Sequence, residues 1–221
     1  MKVVVFGASG MVGQGVVREC VNADDVTEVV CVGRGEVAHA SPKVRSIVHA
    51  DLTDVTAIDA QLAGFDACFF CLGATSAGLN EAEYTRITYA MTMAPARALA
   101  KHAPALTFVY VSGAGTDSTE QGRSMWARVK GKTENALLAL FPKAFMFRPG
   151  GIQPLHGIKS KTRSYRIAYV VAWPLLPLLK LVGAITTTER MGLAMLAVAR
   201  HGDAKKILGN SDINRLARAA R

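Results

Sequence analysis

The sequence predicts one α/β domain, a doubly wound parallel sheet with crossover helices on both faces and a small C-terminal cap over about residues 152–188. Three observations predict it. Short apolar runs alternate with stretches of helical period along most of the 221 residues. Half of the residues are hydrophobic, as suits a sheet covered on both faces. The chain also opens on an apolar run that ends in glycines and passes straight into a helical pattern.

The first strand is Val3–Phe6 and the first helix runs from Met11 to about Val21. Between them Gly7, Gly10 and Gly13 form a G-x-x-G-x-x-G spacing, one residue longer at its front than the common G-x-G-x-x-G. Gly7 suits a tight turn, Gly10 a close backbone approach to a pyrophosphate, and Gly13 close packing of helix on strand. Ser9, Met11 and Val12 complete a loop that presents amides to a diphosphate at a helix N-terminus. A glycine-rich turn holding nothing is the alternative.

Glu28–Val32 is the second strand, followed by CVGRG. A carboxylate at this place accepts from a ribose 2′-hydroxyl; Arg34 instead offers a guanidinium fork to a 2′-phosphate. NADP is therefore the expected cofactor, with NAD as the alternative and a solvated loop role for Arg34 beside both. The third strand, Val44–Val48, leads to VHADLTD. Asp51 is expected to meet the adenine amine or to cap the next helix, and Leu52 to make apolar contact with the base. A helix over Val55–Leu62 and a strand over Ala67–Leu72 follow; CLGAT then offers Leu72, Gly73 and Ala74 as a wall of small residues. Next come a helix over Glu81–His102, a strand at Thr107–Val111, a helix at Met125–Leu140 and a strand at Ala144–Phe147. The last helix is Glu189–Arg200, capped by Thr188 and ended by Gly202, with a further strand near Lys205–Leu208.

Residues 1–150 hold 14 Lys+Arg against 14 Asp+Glu, and residues 151–221 hold 12 against 3, so the net charge of +9 lies in the last third. An anionic partner or plain solubility accounts for it. No nucleic-acid motif accompanies the charge, so nucleic acid is not expected as a partner. Ile167–Leu179 is apolar but contains Pro174 and Pro177 and falls short of the roughly 20 residues of a spanning helix. Lys159, Lys161, Arg163 and Arg166 precede it. A pocket lid, a homodimer face and peripheral contact with an anionic membrane are its three readings. Cys68 and Cys71 form a C-x-x-C, but in a strand residues three apart face opposite ways, so buried thiols are expected and no metal site. The five histidines are scattered, and His156 takes no role. The chain has no signal-peptide pattern, so the cytoplasm is the expected address.

Taken in order, GASGMVG, VGR, ADL, CLGAT, VSGAG, Lys130–Gly131 and FRPGGI resemble the atypical short-chain dehydrogenases, and among them the Tat-interacting-protein-like oxidoreductases. The resemblance covers about residues 1–155 and implies a Rossmann fold that binds NADP(H). It also implies a catalytic Ser followed by Tyr-x-x-x-Lys. Ser112 and Lys130 match the Ser and the Lys, the latter also holding ribose hydroxyls, but Trp126 stands at the Tyr position. An indole N–H donates a hydrogen bond without exchanging its proton near neutral pH. Of the remaining tyrosines, Tyr110 lies inside a strand, Tyr84 and Tyr89 belong to a different helix, and Tyr165 and Tyr169 fall in the segment that could cover the pocket. Arg148 either meets an acidic substrate or ends its strand in an ion pair. Two functions follow: an oxidoreductase or epimerase-like enzyme acting on a small molecule, or a non-catalytic NADP(H)-dependent binding module with a protein or membrane partner.

Overall fold

The computed structural model describes residues 1–158 and 185–220. Seven strands form one parallel sheet: β1 (Lys2–Phe6), β2 (Glu28–Gly33), β3 (Val44–Val48), β4 (Ala67–Phe70), β5 (Thr107–Val111), β6 (Ala144–Arg148) and β9 (Ile207–Gly209). Their spatial order is β3-β2-β1-β4-β5-β6-β9. Between them, β7 (Gly151–Gln153) and β8 (Ile185–Thr187) pair in a separate parallel ribbon. Strand order reverses between β1 and β4, where Val3 pairs with Val29 on one side and Ala67 on the other. A doubly wound sheet opens a crevice at such a reversal, outside the carboxyl ends of its strands.

Period-two alternation divides the core. Val3, Val5, Val29, Phe69 and Phe147 face α1 (Met11–Asn22), α5 (Thr188–His201) and α6 (Asn210–Ala219). Val4, Phe6, Val30, Phe70 and Phe108 face α3 (Met91–His102) and α4 (Met125–Leu140). Each such side chain contributes about 1.5–3 kcal/mol on burial. Cys68 lies in the second cluster and Cys71 packs against the first, on the other side of the sheet.

Several elements differ from expectation. β4 ends at Phe70, which leaves Cys71 and Leu72 in the following loop. The stretch after β3 is a 3₁₀ helix, Thr56–Leu62. The expected helix over 81–102 is three pieces: α2 (Glu81–Thr85), a π-helical turn (Arg86–Ala90) and α3. Pro95 lies within α3 and has no N–H for the carbonyl four residues back, which falls where the wide turn ends. The cap of α5 is Thr187, whose Oγ1 accepts from Arg190 N at 3.1 Å; Thr188 is buried instead, and its Oγ1 accepts from Leu155 N at 3.1 Å. β7, β8 and α6 were not foreseen. The apolar run 167–179, its basic prelude and both Tyr165 and Tyr169 lie outside the described residues.

Candidate functional site

Two cavities adjoin at the strand-order reversal and share Leu72 as a common wall. The first, about 500 Å³, begins at the end of β1. Gly7 has φ +80°, and a Cβ there would sit 2.7 Å from Leu72 N. A Cβ on Gly13 would lie 2.2 Å from Gly7 O. Both positions thus exclude any side chain, and the backbone forms a bare cradle. Gly10 caps α1 without a side-chain hydrogen bond, and no acidic residue stands in the helix's first turn. Met11, Val12 and Gly13 make up that turn, and Ser9 lines the cavity beside Gly7 and Ala8. An uncapped helix start with no competing carboxylate fits a diphosphate.

Past the end of β2, Gly33, Arg34, Gly35 and Glu36 line the same cavity. Arg34 is exposed and makes no ion pair among the described residues. Leu52 is buried on the cavity wall. Asp51 is not on that wall. Its carboxylate accepts from Thr53 N at 2.9 Å and Thr53 Oγ1 at 2.7 Å, and those bonds hold its pKa below the usual carboxylate range. The aspartate closes a local turn and caps no helix, because the 3₁₀ helix begins after Val55. Met91 and Glu36, which the sequence reading missed, stand on the wall. The helical pattern around Met91 signalled burial and carried no hint of the cleft.

The second cavity, about 710 Å³, lies beyond Leu72. Gly73 and Ala74 form one side, and Ser112, Trp126 and Lys130 stand on the others. α4 is held against the preceding loop by Gly131, where a Cβ would lie 1.7 Å from Asp117 O. Lys130, its neighbour, reaches the end of β5. Lys130 Nζ donates to Ser112 O at 2.7 Å and sits 5.8 Å from the centre of the Tyr110 ring. Burial pushes the amine down to about 8, opposed only by the field of Glu134.

Behind these residues Glu134 is fully buried. The Ser112 hydroxyl donates to its Oε1 at 2.5 Å, and Arg148 forks onto both its oxygens, with Nε at 3.1 Å from each. Arg148 also donates to Ser118 Oγ. The arginine therefore ends β6 in an ion pair. Glu134 was not singled out in the sequence, since nothing local marks a carboxylate that closes a pair 14 residues away. Tyr84, set apart there as belonging to another helix, joins the wall of the second cavity. His156 lies elsewhere, with Nε2 2.8 Å from Glu189.

Comparison with known proteins fits this geometry. A family model described as NAD(P)H-binding matches residues 7–139. Protein FMP52, mitochondrial, of Eremothecium gossypii is 29% identical over 153 residues, which are 68% of this chain and 66% of that protein. The chain thus spans a little under two-thirds of that relative's length. Two solved structures share the fold. The Bordetella bronchiseptica enzyme WbmF in complex with NAD+ superposes with a TM-score of 0.66 at 17% identity, over 99% of this chain and 77% of that one. MoeE5 in complex with UDP-glucose and NAD gives 0.69 at 19% identity, over 95% and 75%.

Proposed function

The chain belongs to the NAD(P)H-binding family, and on that premise we propose that it holds NADP(H) along the first cavity and acts on a small carbonyl or hydroxyl compound in the second. The bare cradle of Gly7 and Gly13 at an uncapped helix start carries this reading. Met11, Val12 and Gly13 would direct amides at the diphosphate, Arg34 would pair with a 2′-phosphate, and Leu52 would pack on the adenine. Gly73 and Ala74 would let the cofactor pass close to the backbone, and Lys130 would hold ribose hydroxyls. The bound nicotinamide supplies hydride chemistry. The protein's part is to orient the substrate beside Ser112 and Lys130 and to exclude water.

The catalytic role of Ser112 is narrowed by its partner: its proton is given to Glu134, so its oxygen can accept from a substrate hydroxyl more readily than it can donate. Trp126 favours a second reading, a module that binds NADP(H) without turnover, because no phenol stands four residues before Lys130. The cytoplasmic expectation finds no support in FMP52, whose name carries mitochondrial. Among the described residues no helix is long and apolar enough to cross a membrane.

Titration of nicotinamide fluorescence tests the assignment. NADPH is expected to bind about tenfold more tightly than NADH, as one charge-assisted fork would give. Arg34→Ala should erase the difference. Equal affinities in the wild type would remove the role of Arg34, and no binding of either nucleotide would overturn the function.

A further inference from the structure

We infer that Lys130 itself exchanges the proton with a substrate oxygen in the second cavity, the duty that a phenol at position 126 would otherwise carry. The inference rests on the reading of that cavity as a carbonyl or hydroxyl pocket. Among the described residues three groups on its wall can titrate: Cys71, Tyr84 and Lys130. Burial raises the Cys71 thiol to about 12 and raises the Tyr84 phenol, which fixes both as neutral donors. Lys130 alone is moved toward neutrality.

The surroundings explain why. Lys130 is 9% exposed and has no carboxylate bonded to its amine among the described residues. The nearest carboxylate on its own helix, Glu134, is taken by the Arg148 fork from β6 and the Ser112 hydroxyl just past β5. From β5 and just past it the amine meets the carbonyl oxygen of Ser112 and the face of Tyr110, whose own phenol is pushed up by burial. One N–H is spent on that carbonyl. Among the described residues the remaining N–H positions of the ammonium have no bonded partner and can serve the cavity, and the neutral amine keeps its lone pair. Glu134 thus stabilises the charge from a distance without pinning the amine in an ion pair, the arrangement that suits a group required to gain and lose a proton.

In the reductive direction an N–H bond of the ammonium breaks as an O–H bond forms on the substrate oxygen, and water returns a proton to the amine. In the oxidative direction the neutral amine takes the hydroxyl proton and releases it to water. A general acid–base group is most effective with a pKa near the working pH, and typically contributes about 10²–10⁴-fold in rate.

The experiment is a pH titration of the full chain carrying ¹³C-labelled lysine, without nucleotide, following the Cε resonances. Through-bond correlation to the backbone assigns Lys130, and Lys130→Arg confirms the assignment. Lys130 is expected to titrate near pH 8, about two units below the surface lysines. A midpoint among the surface lysines would overturn the inference. In Lys130→Arg, assayed at NADPH concentrations that saturate the variant as read by fluorescence, kcat on a carbonyl panel should fall about 10²-fold while KM for the carbonyl stays level. Undiminished kcat in that variant overturns the proton role, as does a wild type that binds NADPH and reduces no member of the panel. If the variant does not fold, the wild-type midpoint and a pH–rate profile breaking at the same pH decide. Failure of the wild type to bind NADPH overturns the reading of both cavities and this inference with it. A misplaced midpoint with NADPH bound overturns the inference alone.

Discussion

Trp126 and Lys130 face one cavity, and their chemistry sets what can happen there. An indole at 126 can donate a hydrogen bond but does not exchange its proton near neutral pH, so any proton exchange there would fall to another group. Trp126→Tyr is expected to raise kcat on carbonyl substrates, by up to the 10²–10⁴-fold that a general acid contributes, less whatever the amine already supplies. An unchanged kcat on a confirmed substrate would show that the missing phenol is not the limiting defect. The buried amine also makes a prediction for folding. Its pKa falls from 10.5 to about 8 in the folded chain, so between those values the unfolded state binds more protons. Stability should therefore rise with pH through that window, by on the order of 3 kcal/mol from this residue. Below about pH 8 the whole penalty is present. Urea unfolding of the wild type and Lys130→Met at pH 7.5 and 10 reads the difference. A gap between the two that does not change with pH would contradict a depressed amine.

The elements that position these side chains were readable where local pattern and tertiary role agree. β1, β2, β4, β5 and β6 are apolar runs largely buried on both faces, β3 is an edge strand that buries only Ile47, and each appears in the structure within about two residues of its expected bounds. β7 and β8 have three residues each, too few to show a period, and their pairing joins segments more than thirty residues apart, so only the tertiary fold reveals them. α6 is polar enough to pass for a loop, although its buried Ile213, Leu216 and Ala217 share one face. The start of α2 had a signal that went unused: Asn80 and Glu83 close a reciprocal cap, at 3.0 and 2.9 Å. At the site, the sharing of one cavity by Gly7, Arg34 and Leu52 was legible because each lies in a loop just past a strand at the same end of the sheet. The Ser112–Glu134–Arg148 network and the approach of Tyr84 were not, since they join residues from separate elements. One element-level test concerns the seat of α4. Gly131→Ala puts a methyl into Asp117 O and should cost about 1–3 kcal/mol of stability by chemical denaturation, with weaker nucleotide binding as Lys130 moves. Wild-type stability in that variant would show that α4 is not held there.

Across the whole molecule, the charge-neutral first 150 residues supply every described residue that lines the two cavities, and the +9 balance lies in the remaining third. Steering of an anionic nucleotide by that charge would make association depend on salt, whereas the cradle's amides act at contact range and should be nearly indifferent to it. The central claim concerns the cradle. Gly13→Ala places a methyl against Gly7 O and should weaken binding at least tenfold. The most direct measurement is isothermal calorimetry of the folded wild-type chain with NADPH, with this variant as the control. One site per chain, with heat lost or affinity sharply reduced in Gly13→Ala, is the predicted result. No heat with any pyridine nucleotide, or equal binding by the two proteins, would contradict a diphosphate held on the backbone at the start of α1.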